Sequence, residues 1–266
     1  LRILVYSPFE ILYLAIVIDS LSYTIGALLY GSPIPVRGVK EMGHKMIVNS
    51  IYVAVLANGF GLILSILSQL QNILGVNWNI FYLDIGLLQI QTGVAINMGK
   101  FLYSIIVIIL NYFKVPSQFY SLVTPLLQYI SFLTDILILL NFYMDIGLFI
   151  QSSYMVLIAI GILLMALPFQ MGRGIGSMII AFTIVFYIGL PLLPILISNS
   201  SPLQNQNFVL QDIALQTEEF YAQIPALFYS FILIPLTYMG VLVGFSFILQ
   251  SFLGGYIGKL PIPVEI

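Results

Sequence analysis

Charge is what this chain has least of: 7% of its 266 residues are Asp, Glu, Lys or Arg, against 61% hydrophobic. Cysteine is absent, which excludes disulfides, thiol nucleophiles and thiolate metal sites. His44 is the single histidine, so a histidine-based metal centre is excluded as well. A net charge of -2 and a pI near 5.2 leave no broad basic surface of the kind that wraps nucleic acid.

What the chain does have is long apolar runs, with a mean hydropathy of +1.09. Hydrocarbon offers no hydrogen bonds, so a crossing segment must satisfy its own backbone, as a helix of roughly 20 residues. Strand-type alternation is missing, which argues against a barrel. The composition therefore predicts an all-α, polytopic bundle in the cell membrane, a single domain over residues 1–266 with about seven spans. No signal-peptide core stands apart from the first span.

The first span is expected from Phe9 to Tyr30, ended by Gly31, Pro33 and Pro35. A basic loop, Arg37 to Lys45, precedes a second span from Met46 to Leu70. The amide-rich turn that follows carries Trp78, expected as an interface anchor. Between Asn79 and Phe113 the chain is longer than one span needs, so an interfacial helix is expected before a third span from Gln91 to Phe113. Two more spans, Phe119 to Asn141 and Ile146 to Leu167, are expected if the chain turns near Asn141 to Asp145. A sixth follows from Ile175 to Ile197 and a seventh from Ala226 to Leu253, separated by an extracellular loop over residues 198–223.

Short cytoplasmic loops retain Lys and Arg. With this layout Arg37, Lys40, Lys45, Lys114, Arg173 and Lys259 fall on one side, while the other holds only Arg2. The amino end is then outside and the carboxyl end inside. A short echo, Pro33-Ile34-Pro35-Val36 and Pro261-Ile262-Pro263-Val264, follows the first and last spans. Two proline-bounded helix exits sharing apolar fillers explain it as well as duplication does.

Ionisable side chains inside spans are costly unless paired, hydrated or neutralised. Asp19, Lys100 and Asp135 are the deepest, and they are either the lining of a polar pathway or structural interhelical contacts. Asp84 and Lys100 on one straight helix would stand about 24 Å apart and cannot pair there. Gly240 and Gly244, and Gly254 and Gly258, have the spacing of close helix packing. His44 reads as a solvated surface residue beside Lys45.

Other motifs are set aside. The run Gly172 to Gly176 has the glycines of a phosphate loop but not its Lys-Ser/Thr pair, which excludes nucleotide binding. Lys259 lies beyond the last span, so a retinal-type pump does not fit. Asn199-Ser200-Ser201 is a formal glycosylation acceptor weakened by Pro202, and Asp212 to Tyr221 reads as a solvated loop or an amphipathic surface helix.

Two segments are more specific: GALLYGSPIPVRGVKEMG, from Gly26 to Gly43, and LPFQMGRGIGSMIIAFTIVFYIGLPLLP, from Leu167 to Pro194. Together they resemble the polytopic CedA family of the crenarchaeal DNA-exchange system, which is similar in role to the polytopic inner-membrane component of type IV secretion machines. The resemblance implies an archaeal membrane subunit that works with small two-span pilin-like membrane proteins and a hexameric cytoplasmic ATPase in importing DNA. Neither segment is a catalytic signature.

The expectation is therefore a non-enzymatic scaffold or channel subunit, with no cofactor beyond bound lipid. Arg37, Lys40, Lys45, Arg173 and Lys259 are the candidates for docking a cytoplasmic partner, although the same charges would also set topology. DNA tracks are usually rich in cations and aromatic platforms, and this chain has few cations within its spans. The alternative is a secondary transporter or ion-coupled channel built on Asp19, Lys100 and Asp135, with Pro191, Pro194 and Pro235 breaking helices around a site.

Overall fold

The computed structural model describes residues 7–33, 37–114, 123–205 and 223–254, and these are helical, with no strand among them. Helix α1 (Pro8–Gly31) begins where the sequence requires. Pro8 sits in its first turn, and Glu10 Oε2 accepts the Ser7 N–H at 2.9 Å, satisfying an otherwise orphaned donor. Helix α2 (Arg37–Asn58) contains the basic segment expected as a loop. Nothing between Arg37 and Lys45 breaks a helix, and Glu41 supports this turn through a 2.6 Å ion pair to Lys45 one turn on.

The segment expected as the second span is not one straight helix. It is broken at Gly59, where α2 and α3 (Phe60–Ile73) meet at 56°. Asn58 donates its amide back to the Ala54 carbonyl at 2.7 Å, and a glycine follows, the combination at which helices bend.

Helix α4 (Trp78–Tyr112) is one element where an interfacial helix and a span were expected. Asn77 caps it by accepting the Asn79 N–H at 2.8 Å. Trp78, expected at an interface, is 5% exposed and packs edge-to-face on Phe81.

Helix α5 (Thr124–Met165) is also continuous, and the turn expected at Asn141 to Asp145 is not there. No Pro or Gly occurs between Asn141 and Asp145, and the Asn141 side chain is used within the fold, accepting the Gln89 amide at 3.0 Å. At 42 residues this helix is about twice as long as one crossing needs.

Helices α6 (Arg173–Gly189) and α7 (Leu193–Ser200) are joined by a 3₁₀ turn at Leu190–Leu192, where Pro191 removes a donor. Helix α8 (Gln223–Leu253) widens into a π turn at Tyr229–Leu233. Pro235 cannot donate to the Phe231 carbonyl, and the wider turn accommodates its ring.

Five helices among the described residues are long and apolar enough to cross a membrane, or six if the bent α2–α3 pair is one span. The difference between six and the expected seven lies in α5, one helix where two spans were expected. Side chains such as Tyr13, Leu28, Leu62 and Ile108 are more than 65% exposed, and an apolar exterior of this kind suits lipid rather than water.

Contacts group the chain into two compact units. The first comprises residues through 76, 149–190 and those from 241 on; the second comprises 77–148 and 191–240. Leu12, Ala15, Val53, Phe60, Ile158, Ile162 and Ile180 form the core of the first. In the second, Phe81, Ile85, Leu88, Leu133, Ile136 and Leu140 are buried.

Candidate functional site

In the first unit α1 and α2 form an antiparallel hairpin in backbone contact. A Cβ on Gly43 would lie 2.7 Å from both the Gly26 oxygen and the Tyr30 nitrogen, and one on Gly26 would lie 2.9 Å from the Met46 Cβ. Gly240 and Gly244, expected from their spacing to pack closely, make no such approach among the described residues. Those two glycines are exposed, and a Cβ on either would meet open space.

The end of α5 is docked onto this hairpin. The last carbonyls of a helix have no partner within it, which is costly in an apolar setting. Ser22 Oγ, from α1, donates to the Ala166 carbonyl at 2.9 Å, and Asn49 Nδ2, from α2, donates to the Met165 carbonyl at 3.1 Å. Both side chains are buried. The chain then turns sharply at Pro168–Gln170, a segment that lies against both α1 and α2. Phe169 and Gln170 take left-handed φ values of 61° and 59°, unusual for residues with a Cβ. Gln170 Nε2 donates to the Lys45 carbonyl at 3.2 Å.

Two further contacts fix the start of α6. The Arg173 guanidinium stands 5.5 Å from the centre of the Tyr52 ring, a cation–π distance. A Cβ on Gly176 would run into the Gly161 oxygen, so α5 and α6 also touch through their backbones. The two segments that carried the resemblance thus converge: the glycine-marked hairpin receives the LPFQMGRG turn.

Beside this junction lies Asp19, 6% exposed, in a shallow groove between α1 and α2. Ser50 donates to its backbone carbonyl at 3.4 Å, and its Oδ1 is buried without a partner. Of the three intramembrane candidates only Asp19 is buried; Lys100 on α4 and Asp135 on α5 are exposed, and no ion pair joins them among the described residues.

Among the docking candidates, Lys40 and Lys45 are exposed on α2, Lys45 is paired with Glu41, and Arg173 is half-buried. Arg37 opens α2. Gly254 is buried in the turn after α8, while Gly258, Lys259, residues 34–36 and 261–264 of the Pro-Ile-Pro-Val echo and the Asp212 to Tyr221 stretch lie outside the described residues.

Ser22, Asn49 and Gln170 were not singled out from the sequence. An amide or hydroxyl inside an apolar run was the available signal, since at that depth it must find a partner. Asn49→Leu keeps the volume but removes the donor to Met165, and it is expected to cost about 1 kcal/mol. Thermal unfolding in detergent checks this against Asn58→Leu, whose exposed amide bonds only its own helix and whose loss is expected to shift the midpoint little.

Residues 1–73 match the family described as DNA import protein CedA1. Over 265 residues the chain is 29% identical to the DNA import protein CedA of Sulfolobus acidocaldarius, an alignment covering 98% of this chain and 99% of that protein. No solved structure matches the chain.

Proposed function

We propose that this chain is a CedA-family membrane subunit of a DNA-import apparatus, acting as a scaffold or channel component without chemistry of its own. The observation that carries the reading is its end-to-end similarity to a DNA import protein. The bonds that hold this junction lie in or beside the two segments that resemble the family: Ser22 to Ala166, Asn49 to Met165, and Gln170 to Lys45.

On this reading the spans anchor the chain in the cell membrane, small two-span membrane proteins assemble beside it, and a cytoplasmic ATPase supplies energy. The basic end of α2, with Arg37, Lys40 and Lys45, together with Arg173 and Lys259, is offered to the cytoplasmic partner. The transporter alternative asks Asp19, Lys100 and Asp135 to act together, and the exposure of the last two disfavours it.

The test is uptake itself. Cells lacking the chain are expected to fail to import DNA and to recover when it is restored. Gentle-detergent purification of the tagged protein during uptake is expected to retain small membrane proteins, a transfer ATPase and nuclease-sensitive DNA. Normal import without the chain, or a lone protein that moves small solutes, would overturn the reading.

A further inference from the structure

The groove between α1 and α2 has a volume of roughly 360 Å³ and is lined by Ile16, Asp19, Ser20, Tyr23, Thr24, Ser50, Ile51 and Ala54. It opens near the middle of α1, so its occupant arrives within the membrane. Its walls are mainly apolar, and its floor carries a carboxyl that is 6% exposed, with Oδ1 buried and unpartnered.

The occupant must answer both features. The Ser50 hydroxyl stands beside the carboxyl but leaves Oδ1 without a donor, and an acyl chain would cover the walls yet bring none at that depth. An inorganic cation would find one carboxyl and a few hydroxyls, with no cluster of acidic ligands among the described residues. A helix carrying a side-chain donor satisfies both. The lining allows it to come close, because Ser20 and Thr24 on α1, and Ser50 and Ala54 on α2, are small residues at the four-residue spacing that lets helices nest. A second copy meeting this face across a two-fold axis would set Asp19 against Asp19.

We propose that this groove is the docking site for a transmembrane helix of a different membrane protein, one that presents a Lys, Arg, amide or hydroxyl donor to Asp19. The inference stands on α1 and α2 alone and holds whether or not the chain takes part in DNA import.

The experiment is photocrosslinking of the full chain in its native membrane, with a photoreactive residue at Ile51 in the groove and, as control, at Leu62 on α3. The Ile51 probe is expected to give a discrete adduct with another membrane polypeptide. Relative to the amount of chain present, Asp19→Leu and Ala54→Leu are each expected to lower the adduct about five-fold, the effect of an interhelical polar contact or a filled groove. The Leu62 adducts should not respond. If Asp19→Leu does not accumulate, Ala54→Leu decides alone. Adducts at Ile51 with lipid only, with this same chain or with a second copy would overturn the proposal, as would a yield unchanged by either variant that accumulates.

Discussion

Gly172→Ala is expected to remove most of the folded protein. A Cβ at that position would run into the Leu164 oxygen and lie 2.7 Å from its carbonyl carbon, both backbone atoms that cannot rotate away. The neighbouring turn has no slack to absorb the methyl group, since Phe169 and Gln170 already occupy the left-handed region. The clash sits where α5 is held by Ser22 and Asn49, so moving it also breaks buried hydrogen bonds. Together these place the cost at about 3–5 kcal/mol, within reach of the whole stability of an ordinary fold. The control is two residues away: a Cβ on Gly174 meets nothing within 4 Å, so Gly174→Ala should be tolerated. Thermal unfolding and gel filtration in detergent compare the two, and an unaltered midpoint for Gly172→Ala would refute the geometry of this turn.

The second large effect belongs to the hairpin, and it comes with an opposite sign close by. Gly43→Ala is expected to destabilise by about 2–4 kcal/mol, because the methyl group would push apart two backbones already in contact. Gly38→Ala, on the same helix with open space around it, is expected to be neutral or to stabilise by about 0.5–1 kcal/mol, the usual gain when a helical glycine acquires a Cβ. If both variants moved the unfolding midpoint in one direction, glycine content rather than close packing would explain the segment. On the proposed reading, cells carrying Gly43→Ala should also lose import in proportion to the folded protein lost.

Much of the fold was legible in composition and in proline placement. Helix α1 begins at Pro8 and ends at Gly31, within a residue of the expected span, because its limits are set by groups that cannot continue a helix. Hydropathy was less informative where a polar residue interrupts an apolar run. It could not tell an Asn that faces water, and marks a turn, from one that bonds a neighbouring helix and keeps the run intact. Asn141 is of the second kind, and α5 is therefore one helix.

The site was legible only in part. Asp19 and Arg173 stood out as scarce charges, and the two family-like segments were recognised separately. That Ser22 and Asn49 hold the end of α5, just ahead of the second segment, depends on bonds spanning 144 and 116 residues, which no local pattern reports. Glycine spacing likewise favoured Gly240 and Gly244 over Gly26 and Gly43, because spacing describes a possible contact face and not whether another helix lies upon it.

The long reach of those two hydrogen bonds bears on how the protein is made. If the chain is delivered to a membrane, which its helices are long and apolar enough to cross, α1 and α2 emerge well before the end of α5 is synthesised. The hairpin can therefore be in place, with Ser22 and Asn49 waiting, when the Met165 and Ala166 carbonyls enter the apolar layer. A chain lacking its first two helices would insert the end of α5 with both of those acceptors bare, in a solvent that has nothing to give them.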